Sequence, residues 1–319
     1  MRIALAAGLV AAAIVAAVAF AGGGSEPATA WEPLTPSPLS RTEVAAARIG
    51  RFAYVVGGFE ERSGQTTNAV LRYDLAADRW KRVRSLPIRV NHTAVAAHGG
   101  MLYVLGGFTE PRDFSQRTNR LYRYHPGRNT WRRLRDAPTR RGAHTMQAIG
   151  DRLYAVGGTD QSHEPTGSLE VYDIRRNRWS AGPPMPTPRE HLAGAVSGGR
   201  LFVLAGRTAR GGNFTTLESY NPRSRRWSRL PDMRTPRGGI AAAAVDRNRI
   251  VVFGGEASTT IKEVELYDVA GRRWSALPDM RTPRHGLGGV AYRGRVFAIE
   301  GGPQPGFFFS NALEVLRIP

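Results

Sequence analysis

Thr235-Pro236-Arg237, Ile240-Ala241-Ala242-Ala243-Ala244, Gly254-Gly255, Tyr267-Asp268 and Trp274 follow one another before Thr282-Pro283-Arg284 restarts the series. This run is one whole unit of a repeat, and its parts recur along the chain. Double glycines close an apolar run at Gly57-Gly58, Gly106-Gly107, Gly157-Gly158, Gly254-Gly255 and Gly301-Gly302, and a sixth copy reads Ala205-Gly206. The second glycines are 49, 51, 48, 49 and 47 residues apart. All six tryptophans (Trp31, Trp80, Trp131, Trp179, Trp227, Trp274) keep that period, and Tyr73, Tyr124, Tyr172, Tyr220 and Tyr267 each stand seven residues before one. An arginine follows each tryptophan by nine or ten residues, at Arg41, Arg89, Arg141, Arg189, Arg237 and Arg284. Interlocked series with one period mark a repeat architecture.

Each unit reads as four short strands. The first is rich in small residues, the second is apolar and ends at the glycines, the third carries the tyrosine and the fourth the tryptophan. Short strands at regular spacing, with Gly, Pro and Asn between them, predict an all-β chain. Four strands with a period near 48 predict one blade of a propeller. Small residues suit the crowded axis, Val, Leu, Phe and Tyr suit the space between blades, and tryptophan suits the wider rim. The last unit ends on a third strand, Leu313-Glu314-Val315-Leu316, and the chain carries an orphan tryptophan strand at Trp31-Glu32-Pro33-Leu34. A six-bladed β-propeller over 31–319, its last blade closed by the strand at Trp31, leaves no blade incomplete.

Composition narrows the chemistry. The 319 residues hold 37 Gly and 21 Pro, too many for a helix bundle or a coiled coil. No cysteine is present, which excludes disulfides, thiolate metal sites and a cysteine nucleophile. Lys and Arg outnumber Asp and Glu 45 to 26, giving +19, and 43 of the 45 are arginine. Such an excess favours anionic partners.

Met1-Arg2, an uncharged apolar stretch from Ile3 to Ala21 and a small-residue exit describe a signal peptide over 1–30, or a membrane anchor if the segment is retained. The expected setting is extracytoplasmic: secreted, periplasmic or on the cell surface. Contact with a membrane is expected only through this segment.

The double glycines, the Tyr-Asp pairs at 73–74, 172–173 and 267–268, the trailing tryptophans and the Thr-Pro-Arg runs resemble kelch repeats, over the whole chain after the signal. Tyr124-His125, Tyr220-Asn221 and Leu316 depart from the pattern without threatening the fold. The resemblance implies a propeller, and propellers host many unrelated activities.

Loops on a rigid scaffold are where binding concentrates. The loops between blades bring up the six arginines together with His92, His144, His191 and His285. A ring of Arg41, Arg89, His92, Arg141, His144, Arg189, His191, Arg237, Arg284 and His285 at a channel mouth would bind an anion, since guanidinium matches carboxylate or phosphate and imidazole donates a hydrogen bond or a proton. The repeated arginines have a competing role, holding loop carbonyls between blades. Carboxylates on the expected loop face include Glu43, Glu60, Glu61, Glu110, Asp113, Asp160, Glu164, Glu190 and Glu256, with no spacing that singles out a pair. Glu170, Glu218, Glu265 and Glu314 recur in the third strand and read as structural. No His-x-His or His-x-x-x-His pair is present, so no metal or other cofactor is expected, although ring closure could bring ligands together in space. Arginines flanking the tryptophans read as a charged rim that blocks edge pairing, or as adhesion to an anionic cell-surface polymer. No nucleic-acid partner is expected.

Two functions compete. One is a binding module for a protein or an anionic carbohydrate at the channel mouth. The other is a sugar-acid mutarotase, implied by the resemblance of kelch propellers to N-acetylneuraminate epimerases. The resemblance to galactose oxidase fails on the missing cysteine, because that copper site depends on a tyrosine–cysteine crosslink.

Overall fold

The computed structural model describes residues 30–110, 114–210 and 212–319. Apart from Ala30, the segment read as a signal or anchor lies outside them. Among the described residues, no helix is long and apolar enough to cross a membrane.

Six four-stranded antiparallel sheets carry the architecture, beside one small three-stranded sheet. The unit quoted first becomes Ala241–Ala244, Arg249–Phe253, Val264–Asp268 and Arg273–Leu277, hydrogen-bonded in that order. Innermost strands pack each against the next in chain order, and the last, Gly288–Tyr292, packs back on the first, Ala45–Ile49. The sheets therefore stand as blades around an axis. Crowding there explains the small residues: a Cβ added at Gly289 would lie 2.7 Å from the Ala241 Cβ of the neighbouring blade. Farther out, apolar clusters join facing blades, as where Phe202 and Leu204 meet Ile250, Val252 and Tyr267.

The seven-residue step from tyrosine to tryptophan is a hairpin register. In all five copies the two are direct cross-strand partners, with ring centroids 4.8–5.2 Å apart. Each tryptophan also ties its blade to the one before it. The indole N–H groups of Trp80, Trp131, Trp179, Trp227, Trp274 and Trp31 donate to the carbonyls of Thr35, Arg84, Arg135, Pro183, Pro231 and Pro278.

The last blade is shared between the two ends of the propeller. Glu32–Pro33 pairs antiparallel with Leu313–Arg317, Glu32 opposite Val315 and Pro33 opposite Glu314. Its glycine pair differs from the sequence reading. The residues that turn the chain out of the second strand are Glu300 and Gly301, at φ 56° and 100°, matching Gly254 and Gly255 at 69° and 104°. Gly302 is the next residue along. Glu300 holds this left-handed backbone with its carboxylate buried against Arg41.

Candidate functional site

In every blade the chain reaches the axis through the same positions. First comes a buried residue: Arg41, Val90, Arg141, Arg189, Arg237 or Arg284. The next residue (Thr42, Asn91, Gly142, Glu190, Gly238 or His285) is bridged antiparallel to the one that follows the glycine pair, which is Phe59, Phe108, Thr159, Arg207, Glu256 or Gly302. Then comes Glu43, His92, Ala143, His191, Gly239 or Gly286, all left-handed, with φ between 49° and 67°. These six close a backbone ring around the channel. The N–H groups of His92, Ala143, His191, Gly239 and Gly286 donate to the carbonyls of Glu43, His92, Ala143, His191 and Gly239, and the Val44 N–H completes the circle onto Gly286.

Side chains from these sets, with Phe114, Arg117 and Phe307 from the loops, enclose a cavity of about 540 Å³ at the channel mouth. Its floor is a continuous ionic network. Glu43 reaches His92 Nε2 at 3.0 Å and His285 Nδ1 at 3.0 Å. Glu190 accepts from His191 Nδ1 at 2.5 Å and from Arg207 Nε at 2.7 Å, and Arg207 Nη1 donates to Glu256 at 2.8 Å. The His92 and His191 rings meet edge to face, 4.7 Å between centroids. Aromatic walls rise above this floor: Phe59 lies 4.9 Å from Phe307, and Phe108 5.0 Å from Phe114.

Charge distribution follows from burial and neighbours. Burial pushes the Glu190 carboxyl up, but His191 and Arg207 outweigh it and hold it at about 2. Burial likewise opposes the charge on Glu43, and His92 and His285 still keep it well below the usual carboxylate range. Burial lowers His92 despite the facing Glu43. In His285, burial is overcome by Glu43 and Glu256, and the pKa rises.

Of the ten residues expected at the mouth, His92, His191 and His285 line it. Arg41, Arg141, Arg189, Arg237 and Arg284 do not: all five side chains are 0% exposed. They are struts between carbonyls and a buried carboxylate. Arg141 donates to the carbonyls of Gly157 and Ser168 and pairs with Glu170 at 3.0 Å. Arg189 pairs with Glu218, Arg237 with Glu265 and Arg284 with Glu314, so the recurring glutamates are structural, as their repetition implied. Arg41, with Leu71 at the corresponding place in its own blade, takes Glu300 from the neighbouring one. Arg89 is exposed on the loop, and Val90 occupies the strut position. His144 stands one residue further along than His92 and His191. It lies below the ring with both nitrogens unpartnered among the described residues, and burial holds its pKa well down.

Arg207, Arg117 and the four phenylalanines were missed as site residues. A sequence signal exists for three of the six: Phe59, Phe108 and Arg207 occupy the position after the glycine pair, which holds five different residue types in the six copies.

Two family models match the chain. One, described as a KLHDC2/KLHL20/DRC7 Kelch-repeats domain, matches residues 43–185. The other, the Kelch motif, matches residues 188–234 and 241–281. The chain belongs to the kelch-repeat β-propeller family. No curated protein matches it. Among solved structures, this kelch chain is similar to the one titled "Structure of YjhT", at a TM-score of 0.78 and 15% identity, over 89% of this chain and 97% of that one. At that identity the likeness concerns the fold alone. The glycine pair, tyrosine, tryptophan and arginine are the kelch scaffold, and the mouth chemistry sits in the residues between them.

Proposed function

We propose that this kelch propeller binds a monosaccharide-sized, polyhydroxylated ligand at the channel mouth, outside the cytoplasm. One observation carries the reading: phenylalanine walls stand over a floor of carboxylates, imidazoles and guanidinium. Carboxylates accept hydrogen bonds from hydroxyls, the aromatic rings cover the apolar face of a sugar ring, and the volume suits a small ligand. The anion ring expected from the sequence is replaced by a mixed floor, with Glu43, Glu190 and Glu256 set against Arg117 and Arg207. Arg117 donates to Thr159 and His163 and, among the described residues, forms no ion pair. It is the candidate contact for a ligand carboxylate, which keeps sugar acids among the ligands.

A second reading, mutarotation of a sugar acid, is favoured by the Glu190–His191 pair facing Glu43–His92. One pair would protonate the ring oxygen while the other takes the anomeric hydroxyl proton, opening the ring. NMR of neutral monosaccharides and of N-acetylneuraminate, with and without protein, tests both. Ligand line broadening that is lost in Phe114→Ala supports the site. Accelerated anomer exchange that is lost in His191→Ala supports the enzyme. Absence of line broadening with every sugar overturns the proposal, and absence of accelerated exchange overturns the second reading alone.

A further inference from the structure

Two of the floor histidines have tautomers fixed by their hydrogen bonds, and the result leaves lone pairs facing one another. The Thr66 hydroxyl donates to the Glu110 carbonyl and therefore accepts from Asn91 Nδ2. That orients the Asn91 amide with Oδ1 toward His92 Nδ1, 2.6 Å away, so Nδ1 carries the proton. In the neutral ring, His92 Nε2 then presents a lone pair to the Glu43 carboxylate at 3.0 Å, and only a doubly protonated ring would donate there. His191 repeats the arrangement: Nδ1 donates to Glu190 at 2.5 Å, and Nε2 is left as an acceptor, met by Arg207 Nη2 at 3.1 Å. The ligand atoms of Glu43, His92 and His191 all lie within 4.8 Å of one another.

We propose that Glu43, His92 Nε2 and His191 Nε2 form a divalent-metal site of the zinc type on the channel axis. Two imidazoles and one carboxylate are the protein ligands of an open zinc site, which keeps a fourth position for water or substrate. The Glu43–His92 separation already approaches the about 3.3 Å between ligands of a tetrahedral ion with bonds of about 2.0 Å. Side-chain rotation within the mouth brings His191 the remaining distance. Arg207 gives up only its Nη2 contact and keeps Glu190 and Glu256. The outer partners are in place as well. Metal-bound histidines usually donate their other N–H to a carboxylate or carbonyl oxygen, and here Glu190 and Asn91 accept those protons. The ligands come from three different blades, so no motif of linear spacing could have announced them. The site stands independently of the sugar reading, because metal binding is measured with no sugar present.

The test uses the full chain, freed of metal with a chelator and titrated with Co²⁺, with Zn²⁺ as competitor. The expected result is one equivalent per chain, with the intense visible bands of four- or five-coordinate Co²⁺, displaced by Zn²⁺. Glu43→Gln and His191→Ala should each weaken binding at least about 100-fold, and Glu190→Gln, which reaches the metal only through His191 and Arg207, about 10- to 100-fold. His98→Gln, at the end of the innermost strand Ala94–His98 and outside the mouth lining, should bind as the parent does. Circular dichroism of each variant shows that the fold is kept. If Glu43→Gln fails that check, His92→Gln replaces it. Absence of stoichiometric binding overturns the proposal, as does a weak, water-like six-coordinate spectrum that the substitutions leave unchanged.

Discussion

The struts offer a test built from the chain's own variation. In the third blade, Thr139 Oγ1 donates to Glu170 at 2.6 Å and Arg141 pairs with the same carboxylate at 3.0 Å, with the guanidinium fully buried. Thr187, Arg189 and Glu218 repeat the triad, as do Thr282, Arg284 and Glu314. In the second blade the same three places hold Ile88, Val90 and Tyr122, which pack together in one apolar cluster. Arg141→Val alone should cost about 3–5 kcal/mol, because it strands Glu170 and two carbonyls in the interior. Moving the whole apolar set across, as Thr139→Ile with Arg141→Val and Glu170→Tyr, should recover most of that loss, since a buried ion pair and well-packed apolar residues are near equals in stability. The third blade suits the experiment because Gly142 and Ala143 follow Arg141, so no ionic side chain of the floor is disturbed. Urea unfolding of the single and triple variants provides the measurement. The reasoning is refuted if the single change costs under about 1 kcal/mol, or if the triple variant is no more stable than the single.

Further outcomes follow from the same contacts. Trp31 is 4% exposed and holds the shared blade, so Trp31→Ala should lose about 3–5 kcal/mol; an unchanged urea midpoint would remove the closing role of that strand. Arg89→Ala should change stability by less than about 0.5 kcal/mol, while a loss as large as that of Arg141→Val would restore Arg89 to the strut position. Burial pushes the Tyr124 and Tyr172 phenols up to about 12, and both hydroxyls donate to asparagine. In the unfolded chain a phenol loses its proton near pH 10. Stability is therefore complete below pH 10 and declines as pH rises toward 12. Tyr124→Phe with Tyr172→Phe should flatten that decline, and an equally steep curve would contradict the assignment.

The propeller was legible because each blade must solve the same packing problem, and repeated solutions leave repeated residues. The mouth was largely illegible for the same reason. Repetition drew attention to the arginines, and repetition is the mark of scaffold. Arg89 reads as a member of the series because an unrelated exposed arginine precedes Val90, where the ionic triad is exchanged as a set. Gly301-Gly302 reads as the glycine pair because Glu300, in a left-handed conformation, does not resemble glycine. Glu43, Glu190 and Glu256 were visible as loop carboxylates, but their partners lie on other blades, and only ring closure sets those distances. His92, His144, His191 and His285 stand out because they break the repeat, and all but His144 line the cavity.

The backbone circle of Glu43, His92, Ala143, His191, Gly239 and Gly286 separates the two tasks of the molecule. Its closure depends on amides and carbonyls, which every residue type but proline supplies in full. The six side chains carried on it can therefore change without opening the circle wherever the left-handed backbone, at φ 49–67°, admits the new residue. The residues bridged beside it share that freedom, so the mouth behaves as a wheel of interchangeable sockets on a fixed hub. Three of the six hub sockets now hold only glycine or alanine. Engineering new chemistry would begin at Ala143 and Gly239, where a Cβ at Gly239 meets nothing closer than 3.5 Å, and not at Gly286, where it would lie 2.7 Å from the Glu43 amide nitrogen.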